Sequence, residues 1–147
     1  MNIFDIQLGF GSEVPGKISL NIYFSGCLDN KKCDREFCQN AHIHEFDKGY
    51  NYLDFIPQIQ ILLEKQLFIE CVCFLGGEPF DQDIDQLIDI TNKIQELKPG
   101  IDIYAYTGYD YPEHKNLIDD RIKTLNLVDV YAGHFSKSYN IQKWIRN

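Results

Sequence analysis

The stretch FSGCLDNKKCDREFCQNAHIHEF, residues 24–46, holds three of the chain's five cysteines and two of its four histidines. Three thiolates this close together can hold three irons of a four-iron, four-sulfur cluster and leave the fourth iron open to a small ligand. Cys27, Cys33, Cys38 and His42, spaced C-x5-C-x4-C-x3-H, can also supply three sulfurs and one imidazole to a closed tetrahedral zinc site. A third possibility is three reduced cysteines of no special use. The polar neighbours Asp29, Asn30, Lys31, Lys32, Asp34 and Arg35 argue against it, because an idle cysteine is usually buried as a small hydrophobe.

The elements that must position these thiols follow from the apolar patterning. ISLNIYF (18–24), IECVCFL (69–75), IDIYAYT (101–107) and LVDVYAG (127–133) are short, rich in β-branched and aromatic residues, and end at glycine or turn-like sequence, which predicts four strands. MNIFDIQL (1–8) predicts a further strand at the front. Ile84, Leu87, Ile88, Ile94 and Leu97 recur at helical spacing before the stop signal KPG. YLDFIPQIQILLEKQL (52–67) and EHKNLIDDRIKTL (113–125) predict two more helices, the first starting at or bent by Pro57. Alternating strands and helices imply an α/β domain with parallel strands joined by right-handed crossovers. In such a sheet ligands bind where strands end and helices begin. The cysteine loop, LGGEPFDQD, TGYDYPEH and GHFSKSY each follow one of the four strands, so all the unusual sequence falls on one rim.

With 147 residues and 44% hydrophobic content, the chain suits one domain spanning 1–147. A net charge of -8 and the lack of a basic run exclude generic binding to nucleic acid or an anionic membrane. MNIFDIQLGF lacks the basic region and apolar run of a secretory leader, and no apolar run has the length of a membrane helix. The expected compartment is the cytoplasm, where thiols stay reduced and clustered cysteines serve metals or redox chemistry.

The loop after the second predicted strand bears on the choice of metal. In FLGGEP, Gly76 and Gly77 let the backbone approach a ligand closely, and Glu78 offers a carboxylate suited to an ammonium group. Beside three cysteines after the first of the four strands, this resembles the radical S-adenosylmethionine superfamily, whose Gly-Gly-Glu segment meets the amino group of the cofactor's methionine. VPGKISLNIYFSGC, CQNAHIHEFDKG, IYAYTGYD and VDVYAGHF are similar, in order, to segments of the activating proteins of anaerobic ribonucleoside-triphosphate reductase. That family has C-x3-C-x2-C where this chain has two more residues in each interval. Ala132 and His134 stand where it has Asp and Lys.

The resemblance implies an incomplete parallel (β/α) barrel of about four to six strands. It implies a 4Fe-4S cluster on Cys27, Cys33 and Cys38, and S-adenosylmethionine near Phe37, Asn40, Gly76, Gly77, Glu78, Thr107 and Tyr109. The implied reaction is reductive cleavage of S-adenosylmethionine to a 5'-deoxyadenosyl radical that activates a glycyl-radical enzyme. The implied partners are a large reductase subunit and an electron donor such as flavodoxin or ferredoxin. A standalone radical enzyme acting on a peptide or small molecule is one alternative. A CCCH-type zinc module contacting RNA is another, and the cysteine spacing resembles one variety of that finger. Cys71 and Cys73, two apart on a predicted strand, share one face and are expected in the core. His42 and His44 fit a zinc site or, beside a cluster, serve as loop residues or substrate-side groups. Asp81, Asp83, Asp85 and Asp89 are read as structural, complementing a helix dipole or facing solvent.

Overall fold

The computed structural model describes residues 1–146. The front of the chain forms β1 (Asn2–Phe10), which turns back through residues 11–17 into β2 (Ile18–Phe24). That connection is shorter than the dozen or so residues a parallel crossover needs, so the two strands pair antiparallel, with Ile6 opposite Ile22 and Leu8 opposite Leu20. The cysteine loop follows, then β3 (Tyr50–Asn51) and α1 (Tyr52–Lys65). After them come β4 (Cys71–Gly76), α2 (Ile84–Leu97), β5 (Asp102–Thr107), α3 (Lys115–Leu125), β6 (Asp129–Ala132) and β7 (Lys143–Trp144).

The sheet runs β3-β1-β2-β4-β5-β6-β7. Its centre, β2 to β4 to β5 to β6, is parallel, as the alternating pattern predicts. The pairs at either side are antiparallel. The architecture is therefore mixed α/β with an open seven-stranded sheet, not a closed barrel. β3 and β7 escape sequence analysis because each has two residues, too few for an alternating pattern to register.

The parallel strands follow one another in one direction, so crossovers of one hand place all three helices on one face. There Leu20, Ile22, Val72, Phe74, Ile103 and Val130 meet Ile59, Leu87, Ile90 and Ile118 in the main core. The opposite face carries Cys71, Cys73, Leu75 and Tyr104. The two cysteines are buried there as expected. Trp144 of β7 covers part of this face, its ring 5.6 Å from Tyr104 and 5.7 Å from Tyr106 between centroids.

α1 and α2 start on side-chain caps. Asn51 accepts from the amide of Leu53 at 3.0 Å and Asp83 from that of Gln86 at 3.0 Å. Pro57 neither starts nor stops α1 but lies inside it. It is on the exposed side, where water can serve the carbonyl its missing N–H leaves free. No helix among the described residues is long and apolar enough to cross a membrane.

Candidate metal centre

The loops after β2, β4, β5 and β6 open on one rim because those strands are parallel, and backbone hydrogen bonds weave the first two together. The Gly26 and Cys27 amides donate to the carbonyls of Ile43 and His44 at 2.9 and 2.8 Å, closing the cysteine loop on itself. The amides of Gly77 and Glu78 donate to Phe24 and Gly26, both at 2.8 Å. This approach requires glycine at 77, since a Cβ there would lie 2.4 Å from the Gly26 carbonyl oxygen. Asn40 completes the seam, its side-chain amide donating to the Gly76 carbonyl at 3.0 Å.

At this seam lies a partly open cavity of about 130 Å³. Cys27, Cys33 and Cys38 line it together with Asn40, Gly76, Gly77, Glu78 and Thr107. Ten residues were marked on sequence grounds for cluster or cofactor binding, and the structure gathers these eight. The other two lie outside the lining. Phe37 is 47% exposed and stacks under the Lys137 ammonium at 3.9 Å. Tyr109 is buried, and its hydroxyl donates to Asp81.

All five cysteines are free thiols. Burial pushes the Cys27 thiol up to about 11, against the pull of the nearby Lys31 ammonium. Burial raises Cys33 as well, opposed by the Phe135 amide, which donates to its sulfur at 3.3 Å. Such thiols stay protonated until a metal displaces the proton.

Glu78 is 1% exposed. One carboxylate oxygen accepts from the Gly108 amide at 2.7 Å and the other from the Phe80 amide at 3.0 Å. The side chain thus caps the turn after β4 and ties it to the loop after β5. Burial raises its carboxyl to about 7, with the Gly108 amide and Lys31 opposing the rise. Because the folded pKa lies above the ordinary 4.5, the folded chain holds this proton more tightly than the unfolded chain does. Glu78 therefore becomes increasingly destabilising as pH rises through that window. Metal-free protein is expected to lose stability between about pH 5 and 7 relative to Glu78→Gln. Parallel denaturation profiles for the two proteins would show an ordinary carboxyl instead.

Sequence reasoning missed Lys31, Arg35 and Phe135, which also line the cavity together with His44. Lys31 looks like one more charge on a solvated loop, yet its side chain and that of Asp81 are each 2% exposed and paired at 2.6 Å. The Lys31 ammonium also donates to the Leu28 carbonyl and the Asn30 side chain, and lies 4.4 Å from the centre of the Tyr109 ring. Asp81, expected to be a dipole partner or a solvent-facing acid, is thus a buried anchor of the cysteine loop. His42 packs against the Phe4 ring and is not in the lining. Among the described residues, no three His, Cys, Asp or Glu side chains gather closely enough to hold a single ion. A mononuclear zinc needs four ligands about 2.0–2.3 Å from one point. A four-iron cluster spreads its thiolates over separate corners, and three thiols spaced round one cavity fit that demand.

Fold and rim together define an α/β domain whose thiols converge at the ends of parallel strands. The model of the 4Fe-4S single cluster domain family matches residues 14–146, nearly the whole chain, and the chain belongs to that family. No curated protein matches the sequence. An iron–sulfur cluster-binding domain is the identity this supports.

Proposed function

We propose that the chain is a radical S-adenosylmethionine enzyme that activates a glycyl-radical protein. The observation that carries this reading is the meeting of Cys27, Cys33 and Cys38 with the Gly76–Gly77–Glu78 turn around one cavity, in a chain of the single-cluster family. Cys27, Cys33 and Cys38 would hold a 4Fe-4S cluster, and three thiolates would leave one iron open to a small ligand. When bound, the cluster and S-adenosylmethionine together supply one-electron cleavage of the cofactor and a 5'-deoxyadenosyl radical.

The chain's own residues bind and orient. Gly77 allows backbone to approach the ligand, and Glu78, poised near 7 in a buried position, is drawn to its ionised form by an ammonium group. Thr107, at the end of β5, lines the same cavity and would meet the nucleoside. The open sheet is read as the incomplete barrel of this class.

The cavity volume supports a macromolecular substrate. At about 130 Å³ it falls short of the ~300–1,000 Å³ of pockets that enclose a small organic ligand, so a cofactor beside the cluster reaches the mouth. Leu28, Phe37, Tyr139 and Ile141, exposed on loops that contribute to the lining, offer apolar contact there. The zinc alternative needs His42 beside the three thiols, and the ring faces Phe4 instead.

The test mixes anaerobically reconstituted protein with reductant, S-adenosylmethionine and a candidate glycyl-radical reductase from the same cell. A glycyl radical doublet in the electron paramagnetic resonance spectrum is expected. Cofactor cleavage without a partner radical, across all such reductases, would remove the activating role and keep the radical chemistry. A cluster-replete protein that leaves the cofactor intact under reduction would remove both.

A further inference from the structure

The segment after β6 is stitched to the cysteine loop from a distance in sequence. The Asp34 amide donates to the Phe135 carbonyl at 2.8 Å, and the Lys137 amide donates to the Asp34 carboxylate at 2.9 Å. Between them the Phe135 amide donates to the Cys33 sulfur at 3.3 Å. What fixes this amide is the residue before it. Asp110, in the loop after β5, accepts from the His134 backbone amide at 2.9 Å and faces the ring Nδ1 with both carboxylate oxygens, at 2.9 and 3.0 Å. The pair is buried, Asp110 at 9% and His134 at 6% exposure. Donation from Nδ1 leaves Nε2 to accept from the Tyr139 hydroxyl 3.0 Å away. One carboxylate therefore grips the backbone and the side chain of a single residue, which removes the freedom of the peptide unit that follows.

We propose that Asp110 and His134 are positioning residues for the cluster: they hold the Phe135 amide against the Cys33 sulfur and thereby raise the reduction potential. A donor on a ligand sulfur stabilises the reduced cluster, which is more negative by one electron, more than the oxidised one. The inference rests on the reading of Cys33 as a cluster ligand.

The variants that test it must conserve charge, because deleting the Asp110 carboxylate would by itself raise the potential. Asp110→Glu keeps the charge and misplaces the grip by one methylene. Phe135→Pro removes the N–H itself. After anaerobic reconstitution and iron counting, the midpoint potential is read by redox titration monitored by paramagnetic resonance. Phe135→Pro is expected to lower the reduced-to-oxidised ratio at fixed ambient potential about tenfold, a shift of about 59 mV for a one-electron couple. Asp110→Glu should give a smaller shift of the same sign, and Tyr52→Phe, whose hydroxyl meets Asp89 on α2, none. His134→Gln keeps the backbone half of the grip and stands in, with the same sign, for any variant that fails to fold. Hydrogen exchange supplies a second readout: loading the cluster should protect a peptide spanning 133–137 in the wild type and protect it less in Asp110→Glu. Cluster-replete variants with wild-type potential and protection would overturn the positioning role while leaving the ligand intact. Full iron in Cys33→Ala would overturn the ligand reading, and the positioning role with it.

Discussion

Alanine at Cys27, Cys33 or Cys38 is expected to abolish iron uptake in a protein that otherwise takes about four irons per chain on anaerobic reconstitution. Each thiol is held by a different part of the site. Cys27 sits where β2 runs out, its amide bonded to His44. Cys33 faces the Phe135 amide. Cys38 follows the short turn Arg35–Phe37. A cluster with three protein ligands has no reserve, because losing one leaves two irons without protein support. The remaining cysteines offer no rescue, since Cys71 and Cys73 are fully buried in β4 and pack in the small cluster on the face away from the helices. Alanine at either of those two should leave the iron content near four per chain. Iron measured beside protein concentration decides the matter. Retention of a full complement after loss of Cys27, Cys33 or Cys38 would remove that residue from the ligand set.

Asp81→Ala is expected to cost about 3 kcal/mol of stability in metal-free protein, the lower end of the ~3–5 kcal/mol for breaking a buried ion pair from one side. The carboxylate pairs with the Lys31 ammonium at 2.6 Å, accepts the Leu28 amide at 2.8 Å and takes the Tyr109 hydroxyl. Its removal takes an acceptor from three donors, two of them on part-buried side chains. The lower end applies because Lys31 keeps the Leu28 carbonyl and the Asn30 side chain as acceptors. Replacing both partners, as Lys31→Met with Asp81→Leu, should recover part of the loss, since apolar groups of similar size leave no charge unpaired. Urea denaturation of the single and double variants measures this. A cost for Asp81→Ala below about 1 kcal/mol, the range of exposed pairs, would show that the bridge is effectively solvated.

The parallel centre of the sheet and the gathering of the cysteine and Gly-Gly-Glu loops were legible in the sequence, for a shared reason. β2, β4, β5 and β6 each read as a short run rich in β-branched and aromatic residues, and parallel strands send all their following loops to one rim. Once the strands are placed, the loops are too. The antiparallel flanks were not legible as such, because β3 and β7 belong to the sheet only through the strands they meet. The burial of Lys31 and Asp81 was hidden for a similar reason. Fifty residues separate them, and each alone looks like ordinary surface charge. The role of Phe135 was equally invisible, because the group that meets Cys33 is a backbone amide, which every residue but proline possesses.

The hydrogen bond between the Phe135 amide and the Cys33 sulfur spans 102 positions of the chain, and this bears on the order of events during synthesis. A ribosome extends a chain from its N-terminus at about 5–20 residues per second, so the cysteine loop emerges several seconds before the segment that completes its surroundings. Cys27, Cys33 and Cys38 spend that interval beside a half-built sheet that lacks β5 and β6. Thiols in this condition are accessible to oxidants and to stray metal ions. Delivery of a cluster after β6 has docked would meet thiols already enclosed by the loops that complete their surroundings. A carrier that recognised the assembled rim, rather than the cysteine loop alone, would load only chains that had finished folding.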